Sequence, residues 1–284
     1  MQNCSLVATR KSPLALEQAN RVCAWLSKAF PNEHFKKLEV STEIDERLDW
    51  SVEERGGIGL FTKELESALS GNQASLAVHS AKDMPTTDPD GLSIAGYLPR
   101  AIAHDVLVHR DEYASPKTIA TSSPRRLEQV AKLFPNAKWM TIRGNVGTRL
   151  KKIVELECEA TILAAAGLQR LGISSYKNLI FRNFELEEVV PAPGQGAIAV
   201  QCRTSDLSKY NNLFCTSTQI AVEMEKGFLR RLGSGCQIPV GAYYNKGSFR
   251  IFHPNTGYRI FKLKLGEREE IEPALDKLMA DLKL

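Results

Sequence analysis

Short apolar runs alternate with stretches of helical periodicity along most of this chain, and that alternation constrains its fold more than any other feature. Strands interleaved with amphipathic helices bury their apolar surfaces together as a layered α/β structure. Leu6-Val7-Ala8-Thr9 precedes an amphipathic stretch at 13–30, and Leu76-Ala77-Val78-His79 follows a helical one at 60–69. The pattern resumes with Thr118-Ile119-Ala120, a helix predicted over 124–134, Trp139-Met140-Thr141-Ile142, a helix over 146–156, and Thr161-Ile162-Leu163-Ala164. Two α/β units are implied. Pro191-Ala192-Pro193-Gly194 then breaks the pattern before Ala197-Ile198-Ala199-Val200, which predicts a hinge and a return to the first unit. Beyond about Cys215 the texture changes: a helical stretch at 220–232, strand-like Tyr243-Tyr244 and Phe249-Arg250-Ile251-Phe252, and an amphipathic helix at 273–284 predict a small α+β domain.

Composition narrows the function classes. A chain of 284 residues, 43% hydrophobic and 25% charged, has the size and balance of a globular protein of two or three domains. Met1-Gln2-Asn3-Cys4 has no basic region leading into an apolar stretch, and no apolar run reaches membrane-spanning length, so a cytoplasmic location without a membrane partner is expected. The six cysteines are scattered without a CxxC pair, which predicts reduced thiols and no metal site. A net charge of +4 and 7% aromatic residues argue against nucleic acid and leave room for a small anionic ligand.

Polar residues at the carboxyl ends of parallel strands are the first place to look for a ligand site. Arg10 follows the first run. Ser80, Lys82 and Asp83 follow the second; Thr121, Ser122, Ser123, Arg125 and Arg126 follow the third; Arg143 and Arg149 follow the fourth. One such turn is ordinarily a helix cap, but four basic or hydroxyl-rich ends together predict an anion cleft. Arg143-Gly144-Asn145-Val146-Gly147-Thr148-Arg149 contains GxxG; lying between a strand and a helix, it reads as an anion nest edged by arginines rather than an RNA-binding loop. Asp83 is an acid in a loop otherwise suited to anions. Its bland role is a turn former; its chemical role would be to accept N–H groups from a heterocycle whose acid substituents the arginines hold. His79 reads as a structural histidine at a strand end.

Gly233-Ser234-Gly235-Cys236-Gln237-Ile238-Pro239-Val240-Gly241 sets one cysteine between glycines, which allow tight turns and leave space beside the sulfur. A cysteine taken singly is more often a small buried hydrophobe.

Six blocks carry a resemblance: the segment Ala8 to Ala15, His79-Ser80-Ala81-Lys82-Asp83-Met84-Pro85-Thr86, Thr121-Ser122-Ser123-Pro124-Arg125-Arg126, the 143–149 loop, Pro191-Ala192-Pro193-Gly194-Gln195-Gly196-Ala197, and Gly235-Cys236-Gln237-Ile238-Pro239-Val240-Gly241. In identity and order they resemble the porphobilinogen deaminase (hydroxymethylbilane synthase) family, from about Ala8 to Gly241. The resemblance implies an α/β fold with two type II periplasmic-binding-protein-like domains around a cleft plus a small α+β C-terminal domain. The expected boundaries are 1–97 with 194–212, 98–193, and 213–284. It further implies a transferase of porphyrin and haem biosynthesis, expected as a monomer, that deaminates porphobilinogen and condenses it stepwise on a dipyrromethane primer joined by a thioether to Cys236, releasing hydroxymethylbilane and ammonia.

In that family Asp83 is the catalytic position. Cys236, Lys82, Ser80, Thr121, Ser122, Ser123, Arg125, Arg126 and Arg143 match cofactor-binding positions, and Arg10, Arg149 and Arg170 match substrate-binding ones. Arg170 also reads as a solvated helix-end arginine. The chain departs from the family at Ile58, where a lysine is usual, with Arg55 and Lys63 as nearby cations, and at Thr42-Glu43-Ile44-Asp45, which lacks a usual glycine. The α/β pattern and the arginines alone also allow a non-enzymatic anion-binding or sensor protein, which needs no special cysteine.

Overall fold

The computed structural model describes residues 3–41, 62–113, 115–233 and 238–282. The expectations for Thr42 to Asp45, for Arg55 and Ile58, and for Cys236 lie outside those residues. Contacts group the chain into two compact units, Met1–Ala101 with Ala197–Glu223, and Ile102–Gly196 with Met224–Leu284.

The first unit is built on a five-stranded sheet of order β2-β1-β3-β10-β4. Its strands are β1 (Asn3–Arg10), β2 (Glu33–Val40), β3 (Leu76–Ser80), β4 (Leu92–Tyr97) and β10 (Ile198–Arg203). β1 runs parallel to β2 and β3, whereas β10 lies antiparallel between β3 and β4. The return of the chain after Pro191 is therefore real. Successive side chains enter opposite cores, as strand geometry requires: Val7, Leu76 and Val78 join one cluster with α1 (Pro13–Ala29), and Ala8 and Ala77 join another with α2 (Lys63–Ser70). Burial on both faces explains why β1 and β3 read as unbroken apolar runs. β2 is mostly polar and partly exposed, and β4 is only partly buried and broken by Ser93 and Gly96, so neither gave a comparable signal.

The second unit repeats the plan. β5 (Asp105–Arg110), β6 (Thr118–Ala120), β7 (Lys138–Met140), β8 (Ala160–Ala164) and β9 (Leu179–Asn183) form a sheet of order β7-β6-β8-β5-β9. β6 is parallel to β7 and β8, and β5 is the antiparallel strand between β8 and β9. Val106, Val108, Ala120 and Leu163 enter one core cluster; Leu107, Ile119 and Ile162 enter the other.

The expected helices shorten at both flanks of β7. α3 (Pro124–Val130) ends short of Phe134, which precedes Pro135 and is biased away from helix. β7 ends at Met140 because the backbone of Ile142 is taken by a side chain: the Ser122 hydroxyl donates to its carbonyl at 2.7 Å and accepts from its N–H at 3.2 Å. α4 (Val146–Val154) and a short α5 (Ala165–Arg170) complete the set.

The same unit carries a three-stranded antiparallel sheet, β11 (Gly241–Asn245), β12 (Ser248–His253) and β13 (Gly257–Lys262). Tyr243 and Phe252 pack from it onto Val190 and Ala103. α6 (Thr216–Arg231) and α7 (Ile271–Leu282) approach closely at Gly227, where a Cβ would stand 2.5 Å from Leu275 Cδ1. The two mixed sheets and this smaller α+β part are the architecture expected from the sequence. No helix among the described residues is long and apolar enough to cross a membrane.

Candidate functional site

In the first unit, the carboxyl ends of β1 and β3 frame a depression lined by Arg10, Ser12, Gln18, Thr62, His79, Ser80 and Asp83, with Leu14, Ala15, Leu65 and Val78 as its apolar wall. Local chemistry sets its shape. The Ser12 side chain caps α1 by accepting from Ala15 N–H, and Pro13 occupies the first helical position, where its missing donor costs nothing. The buried Gln18 crosses to β3 and donates to the Ser80 hydroxyl at 2.9 Å. His79 is buried with Nε2 at 3.0 Å from Gln201 Oε1, the structural setting expected of it.

A single 3-10 turn, Ala81–Asp83, follows β3 and turns Asp83 into the depression beside half-buried Lys82. Asp83 makes no hydrogen bond or ion pair with another described residue. An acid spent as a turn former would be bonded to a nearby backbone amide.

In the second unit the predicted anion binders separate into two kinds. Ser123 caps α3 by accepting from Arg126 N–H, again with proline at the first helical position. Thr121 accepts from Ser123 N–H at 3.2 Å, and Ser122 is bonded to Ile142. All three hydroxyls thus organise backbone.

Arg125 and Arg126 turn inward and are buried. Arg126 uses every nitrogen of its guanidinium: Nε and Nη2 donate to Asp105 Oδ1 at 3.1 and 2.8 Å, and Nη1 to the Ile162 carbonyl at 2.8 Å. Arg125 pairs with the other oxygen of Asp105 at 2.8 Å and donates to the Val190 carbonyl at 2.7 Å. Burial alone would raise the Asp105 carboxyl; the two guanidiniums outweigh it and hold the group well below the usual carboxylate range. Gln195 adds a donor to Asp105 at 3.0 Å.

Arg143 and Arg149 are the second kind. Gly144 has φ 109°, and an added Cβ would fall 2.6 Å from a Thr148 methyl, so only glycine suits this turn. Asn145 then caps α4 by accepting from Thr148 N–H at 2.9 Å. Arg149, half-buried, spends only Nε, on the Gly144 carbonyl at 2.8 Å. Burial, with Arg126 and Arg143 in its field, pulls its guanidinium down to about 10. Arg143 makes no hydrogen bond or ion pair with another described residue. Against Asp105, the four arginines leave this end of the unit with a surplus of positive charge, which fits a ligand bearing several carboxylates.

Arg170 ends α5 as a buried side chain whose Nη2 donates to the Gly196 carbonyl at 2.6 Å, which removes the reading of a solvated helix-end arginine. The described residues hold no cluster of acids, histidines and cysteines able to bind a metal ion. The sequence reading missed Asp105. Its signal was an acid leading an apolar run, Asp105-Val106-Leu107-Val108, in a chain that also carries adjacent arginines after a strand.

Comparison with known proteins agrees with the blocks in the sequence. Residues 6–210 match the family model described as porphobilinogen deaminase, dipyromethane cofactor binding domain. The chain is 39% identical over 249 residues to the porphobilinogen deaminase of Brevibacillus brevis, covering 85% of this chain and 80% of that protein. It is 40% identical over 245 residues to the enzyme of the same name from Legionella pneumophila, covering 84% and 78%. Among solved structures it is similar to the BenM effector-binding domain with its effector benzoate, at TM-score 0.47 and 12% identity, over 82% of this chain and 95% of that one. By its match over residues 6–210 and its identity to these relatives, the chain belongs to the porphobilinogen deaminase family.

Proposed function

We propose that this chain is a transferase that deaminates porphobilinogen and condenses it stepwise on a dipyrromethane held by the thiol of Cys236, releasing hydroxymethylbilane and ammonia. The observation that carries the reading is the surplus of guanidinium around Arg149, whose own charge is strained by burial, Arg126 and Arg143. Each pyrrole brings acetate and propionate groups, so a growing chain delivers the anions that such a cluster lacks. When bound, the dipyrromethane supplies a nucleophilic pyrrole α-carbon and remains attached while product is made.

The chain's own residues then divide the work. Arg143 and Arg149, with donors to spare, contact carboxylates; Arg125 and Arg126 supply fixed positive potential from behind, partly neutralised by Asp105. Arg10 and Arg170 serve substrate carboxylates, and Ser80, Lys82, Thr121, Ser122 and Ser123 shape the surrounding backbone and polar wall. Asp83 is the proton-handling group: as a carboxylate it accepts pyrrole N–H and steadies positive charge as ammonia leaves, and in its acid form it returns a proton. Residues 1–97 with 194–212, 98–193 and 213–284 are the three domains of this reading. The protein acts as a cytoplasmic monomer on a small polyacid, with no nucleic-acid partner.

The test is intact mass after incubation with porphobilinogen. The wild-type chain gains the mass of a dipyrromethane and Cys236→Ser does not. A wild type that binds polyacids yet gains no mass is instead an anion-binding or sensor protein.

A further inference from the structure

Gln195 is a buried amide in the 190–196 segment of the second unit. Its Nε2 donates to the Ala103 carbonyl at 2.6 Å and to Asp105 Oδ1 at 3.0 Å. Both partners only accept, so the side chain is turned with its nitrogen toward the start of β5, and both hydrogens of that nitrogen are spent. The backbone that carries it is pinned on each side. Gln195 N–H closes a turn on the Ala192 carbonyl at 2.9 Å, Gly194 N–H donates to Oε2 of buried Glu225 at 2.7 Å, and buried Arg170 donates to the Gly196 carbonyl at 2.6 Å. A segment held this tightly delivers its side chain to one place.

That place is where the Asp105 carboxylate is fixed. Oδ1 takes two donors from Arg126 and one from Gln195, whereas Oδ2 has no aligned hydrogen bond among the described residues and meets Arg125 as an ion pair. The tilt of the carboxylate is therefore set at Oδ1. Arg126 belongs to α3, the helix whose guanidiniums Asp105 holds; Gln195 reaches the same oxygen from another segment.

We propose that Gln195 is a positioning residue for the anion-binding end of the second unit: it fixes the Asp105 carboxylate from outside α3, and Asp105 in turn holds the guanidiniums of Arg125 and Arg126. The inference rests on the proposed function and adds to it a neutral donor that keeps Asp105 in place without cancelling any of the surplus positive charge. Arg126 acts on Arg149 through its charge, so a shift of the first disturbs the second. An acid in place of Gln195 subtracts from the surplus, and an apolar residue leaves Oδ1 to Arg126 alone.

The test is binding of 1,2,4,5-benzenetetracarboxylate, followed by calorimetry, to full-length protein made in cells unable to form porphobilinogen. Gln195→Leu binds it about tenfold more weakly than the wild type, the scale of one lost bond to a buried charge. Gln195→Glu binds it more weakly still, because it adds a negative charge beside Asp105. Volume alone ranks the two the other way, since glutamate matches glutamine in shape. In turnover of porphobilinogen, KM rises about tenfold in Gln195→Leu while kcat stays within about threefold, the pattern of lost binding. Leu275→Ala, which loosens the contact of α7 with α6 and touches none of these bonds, lowers the melting temperature and binds as the wild type does. Either Gln195 variant decides the matter if the other does not fold, and loss of the fold in both makes Gln195 a structural residue and overturns the inference. Wild-type affinity in a folded Gln195 variant overturns it, as do tighter binding by Gln195→Glu than by Gln195→Leu, equally weak binding by Leu275→Ala, and a wild type that binds no tetracarboxylate. A wild type that binds the tetracarboxylate but does not turn over porphobilinogen overturns the proposed function itself, which is a separate result.

Discussion

Asp105 takes Arg126 side-on, with Nε at 3.1 Å and Nη2 at 2.8 Å on one oxygen, while its other oxygen faces Arg125 at 2.8 Å. All three side chains are buried, so each charge depends on the others for solvation. Asp105→Asn is therefore expected to cost about 3–5 kcal/mol in denaturant unfolding, the scale for breaking a buried pair from one side. The acid dependence follows from the sign of the shift. The folded carboxyl is held below its ordinary value, so its contribution is present above the unfolded value of about 4 and drains away as pH falls toward the lower folded one. That part of the acid loss is missing in Asp105→Asn, which a pH series of melting temperatures reads directly.

Arg143 and Arg126 are expected to fail differently. Arg143→Ala removes a cation with no bond to another described residue, so folding is little changed while substrate or primer binding weakens by ~1.5–3 kcal/mol, the value of a charge-assisted contact. Arg126→Ala leaves Asp105 short of a partner and lowers stability first. Equal melting-temperature losses in the two variants would contradict this division.

Asp83→Asn keeps the shape of the turn after β3 and removes the charge. Turnover is expected to fall by about 10²–10⁴, the range for a positioned acid–base group, with primer attachment still detectable by mass. Turnover near wild type would return Asp83 to the role of an ordinary loop residue.

The thiols are expected to react in an order set by their surroundings. Burial pushes Cys158 and Cys202 up to about 11, and both are enclosed in cores. Cys215 is partly exposed; burial would raise it, but hydrogen bonds with Ser217 and Thr218 at 3.3 Å outweigh that and lower it. Alkylation near neutral pH followed by peptide mapping should mark Cys215 well before Cys158 or Cys202.

Much of this was legible in the sequence because it rests on burial. β1, β3, β6, β8 and β10 have apolar residues facing both sides, so each announced itself as a run, whereas the capping roles of Ser12, Ser123 and Asn145 emerged only in the structure. β2 at a sheet edge and β5 with Asp105 at its head were silent, because edge strands bury little and a buried acid imitates a surface one. Arginine type and spacing pointed to anions, but which guanidiniums of α3 turn inward depends on Asp105, some twenty positions away at the head of β5. The sequence pattern offered no way to pair them.

The place of β10 between β3 and β4 has a consequence for synthesis. β4 has no other neighbour in its sheet, so the first unit cannot close until residues 198–203 have left the ribosome, whereas every strand of the second sheet lies between 105 and 183. The sheet built from residues 105–183 can pair before the first sheet closes, and until then the edges of β3 and β4 stay open to mispairing. Chains halted before residue 198 should be the aggregating ones.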